Sequence, residues 1–189
     1  VKLRIKSVQS TMQITKAMEL GSSSKLRRAK ERADQAVPFF NLLYQTMSEV
    51  ASEAVGFHSA YTELRETGAA LLIVIAGDRG LAGGFNINVF RRADARIRAL
   101  QAEGREVILM TIGKKASEHY EKSDCRILGT FDNLGETITP RRALGMAEHI
   151  MHLFDEGHIA MIDLFFTNMV SPLTQEARQM AVLPVPNLE

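Results

Sequence analysis

From Ile5 onward the chain carries a seam of positions spaced alternately by three and four: Ile5, Val8, Met12, Thr15, Glu19, Ser22, Leu26, Ala29, Ala33, Ala36, Phe40, Leu43, Met47, Val50 and Ala54. Twelve of these fifteen residues are apolar, and a repeat sustained over that many heptads predicts one long helix packed along a seam. Around fifty helical residues reach about 75 Å. That is far longer than the average globular helix and longer than a domain made from the rest of the chain could bury. The seam therefore needs a partner helix, and no second heptad pattern occurs between Gly56 and Glu189. The expected partner is another chain or a C-terminal segment beyond Glu189. Pro38 falls inside the pattern, where its missing N–H and its ring predict a kink or a join. Gly21 is a second soft point, costing about 1 kcal/mol relative to Ala.

Past a transition near Gly56 to Gly68 the period changes. Ala69 to Ala76 (AALLIVIA) is nearly all apolar and partly β-branched, as in a strand covered on both faces of a parallel sheet. A glycine-rich turn from Gly77 to Gly84 precedes helical spacing from Asn86 to Ala102. The alternation continues with a strand at Glu106 to Ile112, a helix at Lys114 to Lys122 and a strand at Arg126 to Phe131. A helix follows from Pro140 to Glu156, with Thr139 as N-cap and Pro140 at its first position. Strands at Ile159 to Phe166 and Glu176 to Leu183 complete the reading. Such alternation with short connections predicts an α/β class with a mostly parallel sheet. The expected division is a helix over 1–56, a linker over 57–68 and an α/β domain over 69–189.

Charge is uneven. The net charge is only +1, which argues against a surface devoted wholly to nucleic acid or anionic lipid. Between Val1 and Val37, however, nine Lys and Arg face three acids, so the remainder of the chain is acidic by five. The single cysteine, Cys125, excludes an internal disulfide and a Cys-based zinc cluster. No apolar run approaches the roughly 18 to 20 residues that span a bilayer, so no direct membrane span is expected, and the basic start lacks the apolar core of a signal peptide.

Three features invite functional readings. The segment Gly77-Asp78-Arg79-Gly80-Leu81-Ala82-Gly83-Gly84-Phe85-Asn86 lies between strand and helix, where phosphate-binding loops occur. It matches neither G-x-G-x-x-G nor G-x-x-x-x-G-K-[ST], and no lysine follows its glycines. The expectation is a structural turn needing positive φ, carried by Asp78, Arg79, Gly80, Gly83 and Gly84, with Asp78 and Arg79 paired or exposed. His149 and His152 are three apart with Glu148 beside them, which is not the zincin spacing. No metal, catalytic or cofactor site is expected. The run Lys25-Leu26-Arg27-Arg28-Ala29-Lys30-Glu31-Arg32 is the densest basic patch; a solvated face, a DNA-contacting helix and a face meeting an acidic protein all fit its composition. Its position in mid-helix, flanking the seam, weakens the DNA reading.

The stretch from Ile5 to Leu20 (IKSVQSTMQITKAMEL), with Ser24-Lys25-Leu26-Arg27-Arg28-Ala29, resembles the N-terminal helix of ATP synthase gamma subunits. Asp78 to Asn86 (DRGLAGGFN) resembles that family's motif at the start of its Rossmann-like domain, and Leu173-Thr174-Gln175-Glu176 is similar to a third family segment. The resemblance implies a Rossmann-like, mostly parallel sheet with helices on both faces, preceded by a long coiled-coil helix. It implies a central-stalk subunit of a rotary ATP synthase, translocating protons or sodium, that transmits torque between the c-ring and the ring of alpha and beta subunits. The epsilon subunit is a further implied partner, and catalysis is implied to reside in beta, with neither nucleotide nor nucleic acid bound by this chain. Lys16, Met18, Glu19, Lys25, Arg27 and Arg28 fall in the helix that the family presents to acidic loops of beta. The implied location is peripheral, on the cytoplasmic face of a bacterial inner membrane or the matrix face in mitochondria. Ala82 stands where the family usually has Cys, Gly21 where it usually has an apolar residue, and the family's second long helix is not in this sequence. The competing reading is a free-standing nucleotide-binding α/β protein with a helical dimerisation arm.

Overall fold

The computed structural model describes residues 1–53, 59–133, 139–171 and 173–185. The chain divides into two units, one holding the long helix and the other the sheet with its helices. Helix α1 (Lys2–Glu53) has 52 residues. It runs without a break through Pro38, so that residue marks no join. Proline removes one intrahelical donor, and the freed carbonyl of Asp34 lies on an exposed turn where water can bond it. The seam is open: Ile5, Val8, Met12, Leu26, Phe40 and Leu43 are all exposed, Ile5 by 51% and Leu26 by 50%. Ala54 of the seam, the 56/57 boundary, His58 and the last four residues of the 69–189 range lie outside the described residues.

The second unit runs β1 (Ala69–Ile75), α2 (Phe85–Ala102), β2 (Val107–Ile112), α3 (Lys114–Tyr120), β3 (Arg126–Phe131), α4 (Pro140–Asp155), β4 (Ile159–Met169) and β5 (Gln175–Leu183). Strand order is β3-β2-β1-β4-β5. The first four strands are parallel and β5 is antiparallel to β4. The class is thus the α/β expected, and the apolar run of β1 takes the central position where both faces are covered. Its residues divide by alternation. Ala70, Leu72 and Val74 join Val89, Phe90, Ala93 and Tyr120 of α2 and α3 in one core. Ala69 and Leu71 join Ile150 and Phe154 of α4 in the other. Helices therefore lie on both faces, as right-handed crossovers to opposite sides of β1 require. Thr139 caps α4, its hydroxyl accepting from the Arg142 N–H at 3.3 Å, with Pro140 next.

Within this unit the segment before β1 is fastened to the sheet's lower end. The Arg65 guanidinium lies 3.8 Å over the Phe154 ring and donates to the carbonyls of Phe154 and Ile159. Tyr61 stacks on the same ring and donates from its hydroxyl to Asp155 at 2.9 Å. The Val185 N–H donates to the Tyr61 carbonyl at 2.7 Å.

Candidate functional site

The strand order makes β1 the switch point of the sheet, since the chain leaves it toward β2 and later returns on its other side to β4. Ligands of open α/β sheets bind in the crevice beyond the carboxyl ends of such strands. The Gly77 to Gly84 turn occupies that place, held at its two ends by hydrogen bonds within the chain. The Gly77 N–H donates to Asn86 Oδ1 at 2.8 Å, and the Phe85 N–H to the Ala82 carbonyl at 3.1 Å. Asp78 does not pair with Arg79. Its Oδ1 accepts from the Lys114 N–H at 2.9 Å and the Asn133 N–H at 2.8 Å, so one carboxylate ties the ends of β1, β2 and β3 together. Arg79 and Gly80 are exposed. Positive φ occurs at Gly83 (55°) and also at Leu81 (59°), a leucine 96% exposed. Gly84 is the N-cap of α2, where a Cβ would come within 2.8 Å of the Asn88 side chain. A phosphate here would meet a carboxylate where a phosphate loop offers free N–H groups.

The bond by which Asn86 holds the turn, and the role of Gly113, escaped the sequence reading. Gly113 has φ of 94°, and a Cβ there would collide with the Ala76 carbonyl. Its place between an apolar strand and a helix was a readable signal; the contact with β1 was not.

On α1, Lys16, Met18, Glu19, Lys25, Arg27 and Arg28 are all exposed. Arg27 Nε lies 3.8 Å from Glu31 and Lys30 Nζ 2.8 Å from Asp34, so two charges of the basic run are shared along the helix. Arg28 and Arg32 have no acidic partner among the described residues. Helical spacing distributes these cations around the flanks of the seam, and the apolar line passes between them through Leu26 and Ala29.

Among the described residues no group of three His, Cys, Asp or Glu side chains could hold an ion. His152 pairs with Glu156 at 3.2 Å, and His119 stacks on Phe90 with its Nε2 3.3 Å from Asp94. Tyr120 donates to the same Asp94 at 2.9 Å; burial, and then that carboxylate, hold its phenol above the ordinary value of 10.0. Burial first, then Asp124 and Asp94, raise the Cys125 thiol. The buried carboxylate of Asp163, 2% exposed, is held by Arg96 at 3.0 Å and Gln179 at 3.1 Å.

A long helix with an open apolar seam and basic flanks, joined in sequence to an α/β sheet whose switch point holds the Asp78 carboxylate, defines a helix-bearing α/β chain with apolar surface left to cover. Among the described residues no helix is long and apolar enough to cross a membrane. The family model described as ATP synthase matches residues 1–189, and the chain belongs to that family. It is 46% identical over 189 residues to the ATP synthase gamma chain of Ruminococcus albus, covering all of this chain and 66% of that one. It is 35% identical over 187 residues to the gamma chain of Heliobacterium modesticaldum, covering 98% and 63%, and 33% identical over 190 residues to that of Xanthomonas oryzae, covering 100% and 66%. The chain thus spans about two thirds of the length of the curated relatives it matches. A chain of the Tetrahymena thermophila mitochondrial ATP synthase central stalk and c-ring shares the fold, with a TM-score of 0.67 and 20% identity over 90% of this chain and 72% of that chain.

Proposed function

We propose that this chain is the greater part of a gamma-type rotor subunit, transmitting torque between a membrane c-ring and a catalytic ring of alpha and beta subunits. The observation that carries the reading is α1, a helix of 52 residues with its seam exposed along its length. About 78 Å of rigid rod with apolar surface unpaired suits a shaft that takes a second helix and turns inside a ring. Lys16, Met18, Glu19, Lys25, Arg27 and Arg28 are the residues proposed to meet acidic loops of that ring. The division into a helix over 1–56, a linker over 57–68 and an α/β domain over 69–189 is part of the same proposal, with epsilon and the c-ring as partners of the domain. Catalysis belongs to beta in this reading, and the complex lies on the cytoplasmic face of a bacterial inner membrane, or on the matrix face in mitochondria. The turn supports a rotor without a nucleotide of its own, because Asp78 fills the crevice with negative charge and takes up two N–H groups.

The test is reconstitution of the chain, fused to the remaining third of the Ruminococcus albus gamma chain, with alpha and beta subunits. ATP-driven rotation of a bead fixed to the α/β unit is the expected result. An assembled, ATP-hydrolysing ring with a stationary bead would refute the rotor role. Titration of the chain with ATP and NAD in a calorimeter separates the alternative: saturable micromolar binding would favour the free-standing nucleotide-binding protein.

A further inference from the structure

The α/β unit carries a feature that the role of α1 leaves unused. β5 ends the sheet, so among the described residues no strand lies on its side away from β4. Edge strands that avoid pairing are short, or carry proline, inward-pointing lysine or a bulge. β5 has nine residues, QEARQMAVL, with neither Pro nor Lys, and its register shift lies near its end, opposite Ile162 and Asp163. Along this edge runs a groove of about 740 Å³ between β5 and α2. Ala95 and Ala177 make its small-residue wall, and Arg91, Arg92 and Arg178 supply cations against the single acid Glu176. Glu176 pairs with Arg178 at 3.2 Å. Arg91 reaches only the neutral Asn88 side chain, at 3.3 Å, and Arg92 has no partner among the described residues. The one acid of α2, Asp94, is held by Tyr120 and His119. Two positive charges therefore stand unbalanced beside an unpaired strand.

We propose that this edge receives an extended acidic segment of a partner protein, which adds to the sheet as a sixth strand. Main-chain hydrogen bonds to β5 supply affinity, and alternate side chains of the incoming strand fall on the α2 side. Acids at those positions meet Arg91 and Arg92. The site is separate from α1, and the inference stands whether or not the chain is a rotor.

The probe is a labelled, acetylated peptide, Glu-Thr-Glu-Val-Glu-Thr-Glu-Val, titrated into the full chain by fluorescence anisotropy, with amide hydrogen exchange read along the chain. Saturable binding with slowed exchange confined to 175–183 is expected. The double variant Arg91→Glu/Arg92→Glu changes exposed residues, keeps the fold by circular dichroism, and should weaken binding by roughly tenfold or more, as loss of charge complementarity does. A peptide N-methylated at alternate residues keeps every charge but loses strand donors, and should not bind. Equal binding of the N-methylated peptide, equal binding of a peptide with Lys in place of Glu, protection on α1 instead of β5, or no binding at all would each overturn the proposal. So would duplex DNA that protects 175–183 as well as the peptide does.

Discussion

Asp163 and Tyr120 concentrate the polar energetics of the α/β unit in two residues. Asp163 is nearly fully buried on β4, and its charge is tolerable only because Arg96 and Gln179 both donate to Oδ2. Asp163→Ala strands Arg96, which reaches water in part, so the cost should sit below that of a fully buried pair, about 2 to 3 kcal/mol; a urea titration followed by circular dichroism measures it. Tyr120 gives a pH dependence. Its folded pKa is raised above the unfolded value of 10.0, so the folded state favours the protonated phenol. The stability it contributes is fully present below pH 10.0 and is lost as pH rises above it, because the unfolded chain releases a proton that the folded chain keeps. Tyr120→Phe should flatten the fall in thermal midpoint on the alkaline side while leaving the neutral side nearly unchanged. None of these roles was legible in the sequence. Asp78 finds its partners 36 and 55 residues away, and Asp163 finds Arg96 at a separation of 67. Pairs so distant leave no local period or spacing to read.

The elements themselves were far more legible, because their signals are local. The N-cap and proline at Thr139 and Pro140, the apolar run at β1 and the switch between periods each act within a few residues, and the structure places α4, β1 and α2 within a residue or two of the expected bounds. Pro38 departed from expectation on the question of a join. Its penalty is about 3 kcal/mol in a helix interior, but a long run of helical turns on either side and a solvated Asp34 carbonyl let α1 carry that cost. The basic flank of α1 supports a prediction for the complete rotor. Exposed charges of this kind contribute about 0.2 to 1 kcal/mol each, so no single change at Lys25, Arg27 or Arg28 should abolish function. Changing all three to Ala should leave the α/β unit folded and alter ATPase rate or coupling in the reconstituted complex, by an amount that shrinks as salt is raised. Arg27 should contribute less than Arg28, since it shares its charge with Glu31. Unaltered coupling at every ionic strength, in a complex that rotates normally, would remove these residues from the interface.

At the scale of the whole molecule, the two units differ in what specifies them. The sheet unit carries two apolar cores of its own, whereas the apolar residues along α1 are exposed. The Val185 N–H and the Tyr61 carbonyl are hydrogen-bonded at 2.7 Å, so the segment before β1 and the segment after β5 meet at that point. Adjacent ends make a fold tolerant of rewiring, because they can be spliced by a short linker. A permutant that joins residue 185 to residue 59 through about four glycine and serine residues, and opens at Gly104, should keep the native circular dichroism. Gly104 is the place to cut because it turns at φ of 76° between α2 and β2 with open space around it. Loss of the cooperative unfolding transition in that permutant would mean that chain order matters to the sheet. Retention would mark the α/β unit as a closed ring of structure, a module that natural or laboratory recombination can lift out of one helical shaft and set into another through a single pair of neighbouring junctions.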